Sequence, residues 1–173
     1  MTDTLHQEFL HCSVERLRLQ AGRIESCLGK LTADQVWARG SENENAIGNL
    51  VLHLCGNVRQ WIIAGVGATP DSRRREEEFA ARGGVPVPEL AERLRATVEE
   101  AAAVLGRVTA GELVQQLVIQ GYSVTGLAAI YHVVEHFSGH TGQIIFATKM
   151  LTAEDLRFYR HLSRSAAHGE KTP

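Results

Sequence analysis

The sequence lacks a strong excess of charge of either sign. Among its 173 residues, 20 Asp and Glu nearly balance 18 Lys and Arg, and the formal net charge is −2. A chain without a dominant basic character has no surface suited to a phosphate backbone. Aromatic residues are also scarce, at 6%, and base-stacking platforms require them. These two shortages exclude nucleic acid as the first expected partner.

Long apolar runs and paired cysteines are missing as well. No stretch approaches the roughly 18 consecutive apolar residues that a membrane-spanning helix requires, and residues 1–9 lack the basic and apolar segments of a secretion signal. The three cysteines, Cys12, Cys27 and Cys55, form no CxxC pattern. Because their number is odd and helix-forming residues surround them, we expect buried reduced thiols. The expected compartment is therefore the cytoplasm, with no membrane span.

Helical periodicity is abundant. Apolar residues recur at helical spacing in four long stretches, which predict helices over residues 3–30, 46–64, 89–108 and 124–150. The second stretch has no charged residue between Ala46 and Val58, which is typical of a helix in the middle of a bundle. Thr32-Ala-Asp-Gln35 has the spacing of a capping box and predicts a short helix that carries Trp37. Residues 40–45 are predicted to form a loop, and residues 113–122 an extended or strand-like segment.

A segment rich in glycine and proline, residues 65–88, separates the second and third predicted helices. Loops of this length in compact domains are usually functional or mobile. The charge block within it, Arg73-Arg-Arg-Glu-Glu-Glu78, is interpreted as a solvated turn of helix with neighbouring ion pairs.

These segments together predict an all-α four-helix bundle with a long crossover loop and a short C-terminal helix. Thr152-Ala-Glu-Asp155 is expected to cap that last helix, which would end near Arg164. No repeat or second unit is visible, so we expect one domain over residues 1–165, followed by a frayed tail, residues 166–173.

Four of the eight histidines stand apart because they lie in charge-poor helices. His132, His136 and His140 are spaced i, i+4 and i+8 in the last long helix, and steps of four residues keep them on one side of it. His53 has a similar setting in the second helix, with Asn49 and Asn57 one turn to either side. Buried imidazoles need partners for both ring nitrogens, so these rings are expected to face something other than bulk water.

Two imidazoles at i and i+4 can chelate one metal ion, and a third from a facing helix completes a three-histidine face with an open position. Neutral imidazole suits zinc, nickel, iron or copper. A hydrogen-bonded network of histidines is the structural alternative. The spacing does not say which two of the three histidines on the last helix would bind. The remaining histidines are interpreted as surface or helix-end residues: His6, His11, His161 and His168.

Two segments carry a resemblance to a known family. Asn45-Ala-Ile-Gly-Asn-Leu-Val-Leu-His53-Leu-Cys-Gly-Asn-Val-Arg-Gln-Trp61 and His132-Val-Val-Glu-His136-Phe-Ser-Gly-His140-Thr-Gly-Gln-Ile144 resemble the DinB-like (YfiT-like) superfamily of metalloenzymes, over roughly residues 10–160. The resemblance implies a four-helix bundle with one ligand on the second helix and two on the last, here His53, His136 and His140. His132 would then lie in the surrounding pocket. Trp37 and residues 73–79 are similar to a branch without assigned function.

The resemblance also implies a divalent metal ion, zinc or nickel before iron, and a small-molecule partner. The superfamily includes transferases and isomerases that use low-molecular-weight thiols such as mycothiol or bacillithiol, and homodimers are common in it. This chain has no further motif that indicates a thiol cofactor.

A metal-dependent enzyme is the first functional hypothesis. A divalent ion on three histidines would lower the pKa of a bound water or thiol, as a small hydrolase or a thiol-dependent transferase requires. Asn49, Asn57 and Tyr131 are close enough along their helices to line the pocket. The catalytic residues stay unassigned, because Glu135 points about 100° from His136 around the helix and Cys55 about 160° from His53.

Two other functions fit the same residues. A non-catalytic metal- or ligand-binding protein, such as a stress-response sensor, would have the site without an acid–base partner, and an exchangeable coordination position would distinguish the enzyme from a site closed by four protein ligands. A structural bundle working as a homodimer would use the histidines as a polar network, and an apolar stripe left exposed after packing would favour it.

Overall fold

Four long helices form the bundle in the computed structural model, which describes residues 2–160. In chain order its elements are α1 (Thr2–Leu28), α2 (Ala33–Trp37), α3 (Ile47–Val58) with a π-helical continuation (Arg59–Val66), α4 (Arg75–Ala80), α5 (Val87–Leu105), α6 (Ala110–Val114), β1 (Gln116–Ile119), β2 (Tyr122–Thr125) and α7 (Gly126–Thr152). The long members are α1, α3, α5 and α7. The predicted all-α four-helix bundle with a long crossover is confirmed.

Local sequence signals account for where several helices begin. The Thr32 hydroxyl accepts a hydrogen bond from the Gln35 backbone N–H, and the Gln35 side chain accepts one from the Thr32 N–H, as the capping box predicts. The Thr125 hydroxyl caps α7 in the same way, accepting from the Ala128 N–H at 3.1 Å. Pro88 lies in the first turn of α5, where its missing N–H costs nothing.

The core lies where the apolar stripes of the four long helices meet. Every apolar residue of the stripe predicted for the second helix is buried. Most of the largest fully buried side chains come from α1, α3 with its continuation, α5 and α7, and these include Leu17, Ile24, Leu54, Ile62, Leu90, Leu94, Leu105, Ile130, Phe137 and Ile144. This core holds α3 and α7, the helices that carry the histidines of interest, side by side.

The second long helix ends differently from the prediction. From Arg59 to Val66 the chain forms a π-helix. At its end, backbone hydrogen bonds that span five residues run from Gly67 N–H to the Ile62 carbonyl (2.8 Å) and from Thr69 N–H to the Ala64 carbonyl (3.1 Å). The sequence predicted an ordinary α-helix here. Apolar periodicity does not distinguish the wider π-helical turn, because the apolar stripe of this helix remains continuous through it.

Residues 113–122, predicted to be extended, belong partly to a hairpin. Strands β1 and β2 pair antiparallel with Ile119 opposite Tyr122. Gln120 and Gly121 form the two-residue turn with φ of 52° and 80°, the left-handed geometry that matches strand twist in tight hairpins. The one-turn helix α6 was not predicted.

The predicted C-terminal helix does not begin at its expected cap, since residues 153–160 contain no helix. The Thr152 hydroxyl donates to the Thr148 carbonyl inside α7 and accepts from the Glu154 N–H two residues on. Ala153 then has a left-handed φ of 55°, which ends α7 instead of starting another helix. The rest of the predicted helix to Arg164, the tail over 166–173, His161 and His168 lie outside the described residues.

Expectations for the cysteines and outer histidines are partly met. Cys27 and Cys55 are buried free thiols, but Cys12 is exposed on α1, so the prediction of a buried thiol is wrong there. His11 is exposed and His6 is half-buried. Among residues 2–160, no helix has the length and apolar character needed to cross a membrane.

Candidate metal centre

Three histidines from α3 and α7 converge in the bundle. One ring nitrogen from each of His53, His136 and His140 lies within 4.8 Å of the others, and His53 Nε2 is 2.9 Å from His136 Nε2. The ring centroids are 5.0 Å apart for His53 and His136, 5.1 Å for His53 and His140, and 4.5 Å for His136 and His140. We call these three residues the histidine cluster.

The chemistry of the histidine cluster fits a divalent ion. Burial lowers the pKa of His136 to about 4, with further lowering from the neighbouring histidines and Arg73, and burial also lowers the pKa of His140. Both rings are therefore neutral at pH 7, with lone pairs available as ligands. Zinc–nitrogen bonds of about 2.0–2.1 Å put tetrahedral ligand atoms roughly 3.3 Å apart, close to the 2.9 Å separation of the His53 and His136 nitrogens. Small ring movements would suffice to hold an ion.

His132 lies at the edge of the cluster and outside the group of three. Its ring stacks on that of His136 with centroids 5.4 Å apart, and its centroid is 4.3 Å from the Trp61 ring. Trp61 in turn lies 6.5 Å from Tyr122 of the hairpin. The i, i+4, i+8 spacing left open which two histidines would meet His53, and the packing brings His136 and His140 to it.

The crossover supplies two groups that were not predicted to belong to the site. Glu78 Oε2 lies 3.2 Å and Arg73 Nη2 3.0 Å from His53 Nδ1. Arg73 also donates from Nε to Glu78 Oε1 and from Nη2 to Glu78 Oε2, each at 2.8 Å. Burial acts to raise the pKa of Glu78, but hydrogen bonds from Arg73 and His53 outweigh it and the pKa is lowered. Glu78 is consequently an ionised carboxylate beside a cluster ring.

The interpretation of the charge block as solvated is wrong for these two residues. Only 3% of the Arg73 side chain and 10% of the Glu78 side chain are exposed. The interpretation as a solvated segment is correct for Arg74 and Glu77, which form an ion pair at 3.2 Å with side chains 77% and 68% exposed. The difference arises because the side chains of Arg73 and Glu78 lie against α3 at Gly56, whereas those of Arg74 and Glu77 face solvent.

Backbone contacts fasten this part of the crossover, residues 73–81, which we call the strap. Asn49 donates from Nδ2 to the carbonyls of Glu78 (2.8 Å) and Ala81 (2.9 Å). Arg39 donates to Asn49 Oδ1 (2.6 Å) and to the Phe79 carbonyl (3.0 Å). Asn49, expected to line the pocket, thus holds the strap against α3, and the Phe79 ring lies 4.7 Å from the His53 ring.

Gly56 makes the close approach of the strap possible. A Cβ atom built there would lie 1.8 Å from Glu78 Oε1 and 2.9 Å from Arg73 Nε. A glycine three residues after His53, followed by an arginine and a glutamate five residues apart, is the sequence signal that could have indicated this contact.

The other expected pocket residues have varied surroundings. Asn57 is buried, and within residues 2–160 neither its Oδ1 nor the buried Nε1 of Trp61 has a hydrogen-bond partner. Tyr131 is 61% exposed, and Glu135 is exposed. Burial raises the pKa of Cys55 to about 11, which leaves it protonated and unreactive at neutral pH.

Comparison with protein families gives one match over nearly the whole chain. A family model described as "Protein of unknown function (DUF1572)" matches residues 4–164. No curated protein matches the sequence.

Several solved structures are similar in fold. A conserved protein from Enterococcus faecalis has a TM-score of 0.71 at 16% identity, covering 83% of this chain and 97% of that one. A DinB-like protein from Bacillus subtilis has a TM-score of 0.65 at 18% identity, with coverages of 85% and 96%. A DinB-like protein from Bacillus cereus has a TM-score of 0.65 at 13% identity, with coverages of 80% and 90%. The resemblance inferred from the two histidine-bearing segments is confirmed at the level of fold.

Proposed function

This chain belongs to the DUF1572 family and has the fold of DinB-like proteins, and from that premise we propose that it is a metal-dependent enzyme acting on a small molecule. His53, His136 and His140 would hold one divalent ion, zinc or nickel before iron. The observation that carries the proposal is the convergence of three imidazole nitrogens from two helices within 4.8 Å. Bundle cores with facing helices are regular places for such sites.

The histidine cluster, the strap and His132 would have different roles in this function. The histidine cluster offers three nitrogen donors, one fewer than a closed structural site has, so a bound ion would keep a position for water or substrate. A bound divalent ion supplies Lewis acidity, which makes a water or thiol a nucleophile at neutral pH. The strap covers His53 on its Nδ1 side and keeps water from that ring, whereas His136 and His140 are only half-buried. A substrate would therefore approach along the α7 side, where His132 is available for a hydrogen bond.

The environment of Glu78 favours a thiol over a water nucleophile. Its carboxylate is engaged by Arg73 and His53, and Glu135 is exposed on α7. Water activation benefits from a free general base, whereas a thiol ionises near pH 8.5 without one. We therefore rank a transferase using a low-molecular-weight thiol ahead of a small hydrolase. Because homodimers are common in the DinB-like superfamily, we also propose a homodimer as the working form.

A non-catalytic metal-binding protein is the second candidate. The same engagement of Glu78 favours it, because a sensor needs ligands and no acid–base group. The third possibility, a purely structural network of histidines, is supported by the direct contact of 2.9 Å between His53 Nε2 and His136 Nε2.

Elemental analysis of the tag-free protein beside a His136→Ala, His140→Ala double variant tests the proposal. We expect about one zinc, nickel or iron per chain in the native protein and none in the variant. His11→Ala, which removes an exposed histidine of α1 that is not part of the histidine cluster, is the matched control and should keep the ion. No metal in the native protein after reconstitution with excess ions would refute metal binding and leave the structural network.

A second measurement separates enzyme from sensor. The cobalt-substituted protein is titrated with a low-molecular-weight thiol, and its absorption spectrum reports whether a ligand position is exchangeable. A spectral change followed by turnover of thiol and electrophile supports the transferase. An unchanged spectrum indicates a closed site and favours the non-catalytic protein.

A further inference from the structure

We propose that Glu78 is a positioning residue that selects the metal-binding tautomer of His53, with Arg73 and Gly56 holding its carboxylate in place. The inference rests on the proposed metal site and deepens it, because it explains why part of the crossover is buried against α3. It concerns residues of the chain itself and is testable in the metal-free protein.

The two ring nitrogens of His53 have different neighbours. A neutral imidazole carries one N–H, and its other nitrogen is an acceptor or a metal ligand. His53 Nε2 faces the cluster, 2.9 Å from His136 Nε2, so Nε2 is the nitrogen that must be free of hydrogen to bind an ion. The hydrogen then has to be on Nδ1, which needs an acceptor. Glu78 Oε2, at 3.2 Å, is that acceptor.

Arg73 creates a real alternative at the same nitrogen. Its Nη2 lies 3.0 Å from Nδ1, and a guanidinium can only donate. If Nδ1 had no hydrogen, Arg73 would donate to it, and the Nε2–H would donate to His136. The two strap residues therefore favour opposite tautomers of His53, and the Glu78 carboxylate is what shifts the balance toward the form that can bind an ion. Carboxylates that accept from metal-binding histidines are a general means of fixing tautomer and ring orientation.

Glu78 is held firmly enough to have this effect. The Arg73 fork binds both carboxylate oxygens at 2.8 Å, and its Nη1 donates to Gln60 Oε1 at 2.9 Å. Gln60 in turn donates to Asp71 Oδ2 at 2.6 Å. Because Gly56 has no side chain, the carboxylate rests directly on α3, and its position is set by helix, guanidinium and imidazole together.

Replacing the Glu78 side chain should leave the strap in place, because other residues bind the strap through its backbone. Asn49 binds the carbonyls of Glu78 and Ala81, and Arg39 binds that of Phe79. None of these contacts uses the Glu78 carboxylate. Glu78→Ala therefore removes the acceptor at His53 Nδ1 while the backbone anchors persist, and Glu78→Gln keeps an acceptor oxygen without the charge.

The test measures the tautomer and the metal affinity separately. Nitrogen NMR of the histidine rings in the metal-free protein, with the His53 signals assigned by a His53→Asn variant, reports which nitrogen carries the hydrogen. Competition of zinc between the protein and a chromophoric chelator reports affinity. The variants are Glu78→Ala, Glu78→Gln and the matched control Glu77→Ala, which removes the exposed neighbouring carboxylate. Thermal unfolding checks that each variant is folded.

We expect His53 to carry its hydrogen on Nδ1 in the native protein and on Nε2 in Glu78→Ala, because Arg73 is then the remaining neighbour of Nδ1. Zinc affinity should fall about 10–100-fold in Glu78→Ala and less in Glu78→Gln, which should keep the Nδ1–H form. Glu77→Ala should match the native protein in both measurements.

Two results would overturn the inference. One is an Nε2–H tautomer in the native metal-free protein, which decides the matter even if Glu78→Ala does not fold. The other is a folded Glu78→Ala with the native tautomer and native zinc affinity. A native protein that binds none of zinc, nickel and iron refutes the proposed function instead, and the tautomer measurement still decides the role of Glu78.

Discussion

Replacing Gly56 by alanine is the sharpest test of how the strap packs on α3. The added Cβ would lie 1.8 Å from Glu78 Oε1. To reach an ordinary contact distance of 3.4 Å, the carboxylate would have to move by the difference, roughly 1.6 Å. Arg73 binds both of its oxygens, so the ion pair must move as a unit or break. Either movement lengthens the 3.2 Å contact with His53 Nδ1.

The size of the effect follows from two opposing contributions. Alanine is favoured over glycine inside a helix by about 1 kcal/mol. Forcing an extra carbon into a packed site costs about 1–3 kcal/mol. A Cβ added at Gly22, two turns before the end of α1, would meet nothing within 4 Å, so Gly22→Ala isolates the helix contribution. Gly56→Ala should therefore have a free energy of unfolding about 1–3 kcal/mol below that of Gly22→Ala.

Thermal unfolding and zinc competition check this expectation together. For a chain of this size 1 kcal/mol corresponds to about 2–4 °C in Tm, so the two alanine variants should differ by about 2–12 °C. Zinc affinity should fall in Gly56→Ala and not in Gly22→Ala. Adding Glu78→Ala to Gly56→Ala removes the clashing oxygen, and the two changes should cost less together than the sum of their separate effects.

One result would contradict this packing of the strap. If Gly56→Ala stabilises the protein as much as Gly22→Ala and binds zinc as the native chain does, the Glu78 carboxylate does not rest on α3. The positioning role proposed for it would then lose its geometric support.

The remaining predictions concern the thiols and one helix cap. A thiol reagent should label one cysteine per native chain, Cys12, because Cys27 and Cys55 are buried and burial raises the pKa of Cys55 to about 11; mass mapping that finds Cys55 labelled at neutral pH without denaturant would contradict this. Thr32→Ala removes the hydroxyl of the α2 capping box and should lower the free energy of unfolding by about 1 kcal/mol, or Tm by about 2–4 °C. Ser26→Ala, whose hydroxyl donates to the Gly22 carbonyl within α1, is the control, and equal Tm values for the two variants would count against the capping contribution.

The helices were predictable because their signals are local. The apolar stripe of α3, the Thr32 capping box and the row of histidines on α7 each depend on residues within a few turns of one another. The end of the bundle shows the limit of such signals. Thr152 has a capping sequence, yet its hydroxyl donates to the Thr148 carbonyl in the preceding turn of α7. A short motif does not decide between this carbonyl and the backbone N–H groups of a following helix.

The composition of the site was only half accessible from the sequence. Spacing indicated the histidines, and the family resemblance selected His53, His136 and His140, which the packing brings together. Arg73 and Glu78 were not predicted because a block of charged residues is usually solvated, and their burial depends on the crossover folding back onto α3. His53 and Arg73 are 20 residues apart in the chain, beyond the reach of helical periodicity.

The histidine cluster has a consequence for any attempt to divide the chain. His53 and His136 are separated by 83 residues, so every backbone cut between them leaves the donors on two different fragments. Gly83 and Gly84, with positive φ and open space around them, offer an accessible place for such a cut. Neither fragment would contain the cluster, and binding of an ion would become a direct measure of how tightly the two pieces of the bundle recombine.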